Sequence, residues 1–358
     1  MSEETLTNII MDTGSWTCKL GFSSEDFPRV VIQTVASEVN GFNDAMLKKS
    51  GSDSSKQNAL KSLCYGGNVL DWNLMEIFWK KAFNSAVSPE DSLHPLLVNY
   101  YPNSNKYTKE KQTQIFFENF NVPYYFAISN SLLILYSSGR VTGLVLDSGH
   151  TVTSVVPIID GCAQYYNQST ITYGGNDLTQ FFVNSHLAFK DLSQEIKEKH
   201  CKVSLDFDRD IQDMKNFPNQ NLITLPDGTT YDMKDYSIKA PEGIFRPDVI
   251  GKNMIGISDL VMNSLSKCEH ETRKDLMNNI IVAGGNTCFL NFNERLQREL
   301  QMKNHSNAKI KCLNYSDKIT SLWFGGAVIS GIGSLQPMWI SKSDYDEHGP
   351  SIIHRKSF

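Results

Sequence analysis

Short apolar runs closed by Gly, Asp or Ser alternate along this chain with stretches whose apolar residues recur every three or four positions. The first pattern predicts strands and the second helices. Ile9 to Gln33 reads as consecutive strands with short turns. From Glu38 to Ser62 the chain turns polar, rich in Asn, Ser, Lys and Gly, and predicts a weakly packed excursion. Leu74 to Phe83 has helical spacing, His94 to Tyr100 is a short buried strand, and Lys109 to Phe120 is an amphipathic helix. Val122 to Ile128 reads as a strand, and Ser131 to Tyr136 as an apolar helix capped at Ser138-Gly139. In the second half, Gly174-Gly175 opens a helix, and Glu195 to Lys202 reads as a charged helix with a solvated face. Pro226-Asp227-Gly228 predicts a hairpin turn. Asn279 to Gly285 is a buried strand entering a Gly-Gly turn, Phe292 to Leu300 a helix, and Ser321 to Ala327 a second strand-to-helix junction through Gly-Gly. Alternating β and α elements in two halves predict an α/β protein with two related domains.

One pattern occurs twice. Ile9-Ile10-Met11-Asp12-Thr13-Gly14-Ser15 runs on into Trp16-Thr17-Cys18-Lys19, and Leu144-Val145-Leu146-Asp147-Ser148-Gly149-His150 runs on into Thr151-Val152-Thr153-Ser154. Each is an apolar strand, an Asp-hydroxyl-Gly turn and a second strand. Such a turn bares backbone N–H groups, and Gly allows a phosphate to come close. An Asp ending each buried strand can hold a hydrated Mg²⁺. Two hairpins of this kind facing each other would clamp a nucleoside triphosphate. Either copy alone is an ordinary turn; internal duplication is what raises the functional reading.

Composition narrows the classes. With 358 residues, 40% hydrophobic and 20% charged, the chain is long enough for two domains of ordinary globular character. A formal net charge of −5 gives no basic field for direct nucleic-acid binding. No stretch approaches the ~20 apolar residues of a membrane span, so no membrane insertion is expected. The seven cysteines are scattered without a Cys-x-x-Cys pair, which predicts free thiols rather than a zinc site or disulfide framework.

The chain resembles actin and the actin-related proteins, within the wider superfamily of sugar kinases and Hsp70-type ATPases. The superfamily signal is Asp12-Thr13-Gly14, Asp147-Ser148-Gly149 and the adenosine-loop sequence Ala283-Gly284-Gly285. The actin-like signal is Met338 to Lys342, Tyr345 to Glu347 and Gly349 to Lys356, with Leu135 to Arg140, Ile196 to Lys199, Leu225 to Gly228 and Arg273 to Leu276. The resemblance covers nearly the whole chain. It implies the actin-like ATPase fold, two related α/β domains with a nucleotide cleft between them. The implied small domain is 1–137 plus 322–358, with an outer lobe at about 34–65. The implied large domain is 138–321, with an outer lobe at about 174–251.

By the same resemblance the cofactors are ATP or ADP with Mg²⁺. Gly14, Ser15, Trp16, Lys19, Ser148 and Gly149 would hold the phosphates. Gly175, Lys197, Glu198, Gly284, Gly285 and Phe289 would hold the adenosine, Phe289 standing where the family usually has Tyr. Asp12 and Asp147 would hold Mg²⁺ through water. Trp16 replaces a small Gly beside the turn, and Lys318 lies one residue before the position of the family's adenine-side Lys. The family's hydrolytic Gln corresponds to Asn130 or Ser129, and its His to Ser154. His150 is expected to be a surface turn residue that shares a strand face with Ser154. These departures predict nucleotide binding with at most weak ATPase activity.

The resemblance also implies partners. Tyr136, Gly139, Phe324, Ile329 and Met338, with Val328 and Ile332, would line a groove for amphipathic helices. Actin-like subunits, copies of this chain or conventional actin, would meet the outer loop, where Met46-Leu47 could form an apolar tip, and the stretch Val249 to Ile255. Two roles follow. One is a cytoplasmic cytoskeletal protein in a nucleotide-dependent filament or filament-associated assembly. The other is a stoichiometric subunit of a dynactin-type or chromatin-remodelling complex, compatible with the nucleus, in which ATP is a structural ligand. A metabolite kinase of the same superfamily is the third class, and the actin-like C-terminal motifs argue against it.

Overall fold

The computed structural model describes residues 7–37, 60–88, 93–185, 193–216, 221–224, 228, 230–304, 309–313 and 317–357. The Met46-Leu47 tip and most of the outer loop lie outside them, as do Pro226 and Asp227 of the expected hairpin turn. The strands flanking that turn, Leu222–Thr224 and Thr230–Asp232, pair antiparallel. The chain divides into two compact units. One comprises Met1–Val141, Asp160–Ala163 and Ile319–Phe358, and the other Thr142–Ile159 and Gln164–Lys318.

The first unit is built on a six-stranded sheet. Its order is Ile340–Ser341, Tyr124–Ser129, Leu96–Tyr100, Ile9–Thr13, Thr17–Phe22 and Val30–Gln33. Ile9–Thr13 and Thr17–Phe22 form the antiparallel hairpin, with Asp12 opposite Lys19. Leu96–Tyr100 runs parallel to Ile9–Thr13 on the other side, and Tyr124–Ser129 continues the parallel run. The central strands are apolar on both faces because helices cover them, as parallel sheets require. Trp79, Phe116 and Tyr125 pack in series in this core, with ring centroids 4.9 and 5.8 Å apart.

The second unit repeats this plan. Gly143–Ser148 and Thr153–Ile159 form an antiparallel hairpin, with Asp147 opposite Ser154. Ile280–Ala283 runs parallel to Gly143–Ser148, and Cys312–Leu313 runs parallel beyond it. A buried ion pair ties its helices together: Arg295 meets Glu242 at 2.9 Å and Glu299 at 2.7 Å. All seven cysteines are free. No helix among the described residues is long and apolar enough to cross a membrane.

One predicted element is corrected. Ser321 to Ala327 is not a strand-to-helix junction; Ser321–Ser330 is helical throughout. Its Gly-Gly serves contact rather than a turn. A Cβ on Gly325 would stand 1.9 Å from the Leu133 carbonyl oxygen, and one on Gly326 would stand 2.6 Å from the Ile10 side chain. The missing side chains let this helix lie against the helix Asn130–Ser137 and the central strand. Gly325→Ala should therefore destabilise the protein by about 3 kcal/mol, through forced displacement of packed backbone. Gly333→Ala, where a Cβ would meet nothing within 4 Å, should stay within about 0.5 kcal/mol. Thermal or urea unfolding of both variants checks the contrast.

Candidate functional site

The site residues fall into two sets, one in each unit. In the first unit, Asp12 is the next-to-last residue of the strand Ile9–Thr13, and its carboxylate is only 1% exposed. A buried carboxylate needs partners. Lys19, its cross-strand neighbour, donates from Nζ to Oδ2 at 2.8 Å. Asn99, from the adjacent parallel strand, donates from Nδ2 to Oδ1 at 3.1 Å. Lys19 is thus seated beside Asp12 rather than projecting alone. Past Asp12 the turn closes as Gly14 N–H donates to the Thr17 carbonyl at 3.0 Å. A Cβ on Gly14 would stand 2.9 Å from that oxygen, so the tightness of the turn itself calls for glycine. Ser15 is buried and Trp16 half-buried, and Trp16 accepts from Thr34 N–H through its carbonyl. Thr13 is fixed from below by the Trp79 indole N–H, 3.1 Å from its hydroxyl.

Asn130, the first residue of the helix Asn130–Ser137, joins the same network. Its Oδ1 accepts from Asn99 Nδ2 at 3.0 Å. Ser129 does not join; its hydroxyl pairs with that of Ser131 at 3.1 Å. Asn99, which in sequence shows only as part of a buried strand, therefore links Asp12, the partner of Lys19, to Asn130. The available signal is a carboxamide interrupting an otherwise apolar strand, Leu96–Tyr100.

In the second unit, Asp147 is 9% exposed at the end of its strand. The Ser148 hydroxyl is spent internally, 2.9 Å from the Thr153 hydroxyl and 3.1 Å from Asn286 Nδ2. The turn closes as Gly149 N–H donates to the Val152 carbonyl at 2.9 Å. The next segment docks on this turn: Gly175 N–H donates to the Gly149 carbonyl at 3.0 Å and Asn176 N–H to the His150 carbonyl at 2.7 Å. Gly284, at φ +90°, packs against the same hairpin, where a Cβ would stand 2.3 Å from the Ser148 carbonyl oxygen. Gly285 is exposed, and a Cβ there would meet nothing within 4 Å. Lys318 braces this loop, donating to the Thr287 carbonyl at 2.8 Å and to Asn293 Oδ1 at 3.0 Å.

Three expectations are corrected here. Lys197 is not on a solvated helix face: it is 3% exposed, and its Nζ donates to the Gly175 carbonyl, the Thr179 hydroxyl and Gln194 Oε1, each at 2.9 Å. Burial lowers its pKa to about 8. The helix Ser193–His200 turns this position inward while Glu198, paired with Gln194, stays exposed. His150 shares no strand face with Ser154, because His150 lies in the turn and Ser154 in the following strand. The alternation of faces does not carry across a turn. Nor is His150 a plain surface residue; burial first, and the charge of Lys197 second, hold its pKa at about 4, so it is neutral near pH 7. Finally, Ile329 is fully buried in the first unit and does not line the groove, whereas Phe324 on the same helix is 45% exposed. Tyr136 and Met338 are half-buried, and Gly139 stands open at φ +68°. Phe289 is half-buried against two apolar clusters of the second unit.

A duplicated α/β architecture with an Asp-tipped hairpin at the centre of each sheet defines the structural class. The family model for Actin matches residues 3–193 and 185–358, and the chain belongs to the actin family.

The folded pKa of Lys197, about 8, lies below its ordinary value of 10.5. Between those values the unfolded chain holds a proton that the folded chain has released, so stability rises with pH across that window. Below it both states are charged and burial of the ammonium opposes folding in full. Relative to Lys197→Met, the wild type should gain about 2 kcal/mol from about pH 8 to about pH 10. Urea unfolding of both proteins across that range is the check, and a pH-independent difference would contradict the buried ammonium.

Proposed function

We propose that this chain binds ATP or ADP with Mg²⁺ and works in a cytoskeletal assembly, as a filament subunit or a filament-associated one. The observation that carries the reading is the recurrence, in both units, of a strand–turn–strand hairpin ending on a buried Asp. The residues present suit such a ligand. Asp12 and Asp147 supply oxygen donors suited to a hydrated divalent cation. Lys19 supplies a compact positive charge next to the first turn, and Gly285 beside the second hairpin is exposed. When bound, Mg-ATP supplies a γ-phosphoryl group open to attack by water. Gly14, Ser15, Trp16, Ser148 and Gly149 would hold the phosphates. Gly175, Lys197, Glu198, Gly284 and Phe289 would serve the adenosine. The half-buried Tyr136 and Met338 and the exposed Phe324 and Val328 would receive amphipathic helices.

A second reading is favoured by one specific observation. Asn130 is engaged by Asn99, and Ser154 offers a hydroxyl in place of an imidazole, so neither is arranged for efficient activation of water. On this reading the chain is a stoichiometric subunit of a larger complex, with ATP as a structural ligand, in the cytoplasm or the nucleus.

Sedimentation of the purified protein in Mg-ATP, alone and with conventional actin, with nucleotide measured in pellet and supernatant, separates them. The expected result is nucleotide-dependent pelleting with ATP outlasting assembly. A protein that stays in the supernatant in both mixtures, holding intact ATP, would establish the second reading. A protein carrying no nucleotide would contradict both.

A further inference from the structure

We propose that Asn99 is a positioning residue of the first half-site, and that it keeps the carbonyl of Asn130 from orienting an attacking water. The proposal rests on the nucleotide reading above and adds to it the reason for slow hydrolysis.

The argument starts from a donor that has no choice. Thr13 backbone N–H can only donate, and it donates to Asn99 Oδ1 at 2.8 Å. That bond fixes which end of the Asn99 carboxamide faces the turn. Its Nδ2 then faces Asp12 Oδ1 at 3.1 Å and Asn130 at 3.0 Å, with a longer approach to the Thr13 carbonyl at 3.4 Å. The two hydrogens on Nδ2 are matched by two acceptors, a carboxylate oxygen and an amide oxygen. Asn130 must therefore present Oδ1, not Nδ2, to Asn99. The orientation of both carboxamides follows from one backbone amide. All of these groups are buried, where water competes weakly for such bonds.

Two consequences follow for this chain's own residues. Asp12 has one oxygen on Lys19 and the other on Asn99, so its carboxylate plane is held at both ends. Second contacts of this kind orient groups that hold a cation, directly or through water. Asn130 has its carbonyl committed inside the protein. A side-chain amide that aligns a water for attack needs that carbonyl as acceptor, because the water must direct a lone pair at the electrophile and a hydrogen at the amide. The bond to Asn99 takes one of the two lone pairs of Oδ1 and fixes the direction of the other, so this oxygen is not free to turn toward that water, and the NH₂ group cannot substitute for it.

The test uses the full-length chain and ethenoadenosine triphosphate, a fluorescent ATP analogue. Analogue retention is measured across a Mg²⁺ titration, and single-turnover hydrolysis of bound ATP is measured separately. Asn99→Ala should raise the Mg²⁺ concentration for half-maximal retention roughly tenfold and should speed hydrolysis several-fold by releasing the Asn130 carbonyl. In Asn99→Ala with Asn130→Ala the cation shift should persist and the hydrolytic gain should vanish. Asn99→Ser, which keeps a polar group at the strand end, carries the same expectations should the alanine variant fold poorly. A lowered unfolding midpoint with unchanged Mg²⁺ dependence and unchanged turnover would overturn the proposal, as would a hydrolytic gain that survives in the double variant. A wild-type chain that retains no analogue at saturating Mg²⁺ would overturn the nucleotide reading and this proposal together. Retention without any effect of the Asn99 variants would overturn this proposal alone.

Discussion

The buried carboxylate of Asp12 is the constraint on which the first unit's site depends. An ionised carboxylate removed from water loses several kcal/mol of hydration unless it is paired and hydrogen-bonded. Here Lys19 is supplied by hairpin register, because Asp12 and Lys19 stand opposite each other across two antiparallel strands. Asn99 is supplied by the parallel neighbour. A slip of one residue in either pairing would move the partner to the opposite face of the sheet. The pairing of strands and the neutralisation of Asp12 are thus one requirement, and both must hold before the turn at Gly14 can present anything to a ligand.

The second unit surrounds its hairpin with different residues. Asp147 ends an equivalent strand, but its opposite number is Ser154 rather than a lysine. The buried ammonium near this hairpin is Lys197, which bonds to the Gly175 carbonyl and to neutral side chains. Glycines at 284 and 174 let backbone close on the turn so tightly that a Cβ on either would overlap a carbonyl oxygen. Duplication preserved the hairpin and its parallel neighbour while the chemistry around the two Asp residues diverged.

The fold was legible in sequence because strand–turn–strand signals are local. Asp12-Thr13-Gly14 and Asp147-Ser148-Gly149 each lie within a few residues of the strands they join, and turn chemistry sets their form. What was not legible depended on contacts between distant segments. Gly325-Gly326 reads as a turn until the Leu133 carbonyl is seen lying against it. Lys197 sits in a run of charged residues, and only its packing against Gly175, 22 positions earlier, shows that it points inward. Asn99 is joined to Asp12 across 87 positions and to Asn130 across 31. Nothing in its own neighbourhood except the interruption of an apolar strand marks it. Ile329 shows the same limit on a helix face, since apolar spacing alone does not say which residues are core and which are surface.

The central claim, proposed above, is that this chain binds Mg-nucleotide and that Asp12 and Asp147 each contribute to holding its cation. Calorimetric titration of ATP into the metal-free, nucleotide-free chain, with and without Mg²⁺, tests it most directly when repeated on Asp12→Ala and Asp147→Ala. The account predicts one site per chain in the wild type, tightened by Mg²⁺, with the Mg²⁺ dependence reduced by either substitution. Binding that ignores Mg²⁺, or that responds to one Asp and not the other, would contradict it.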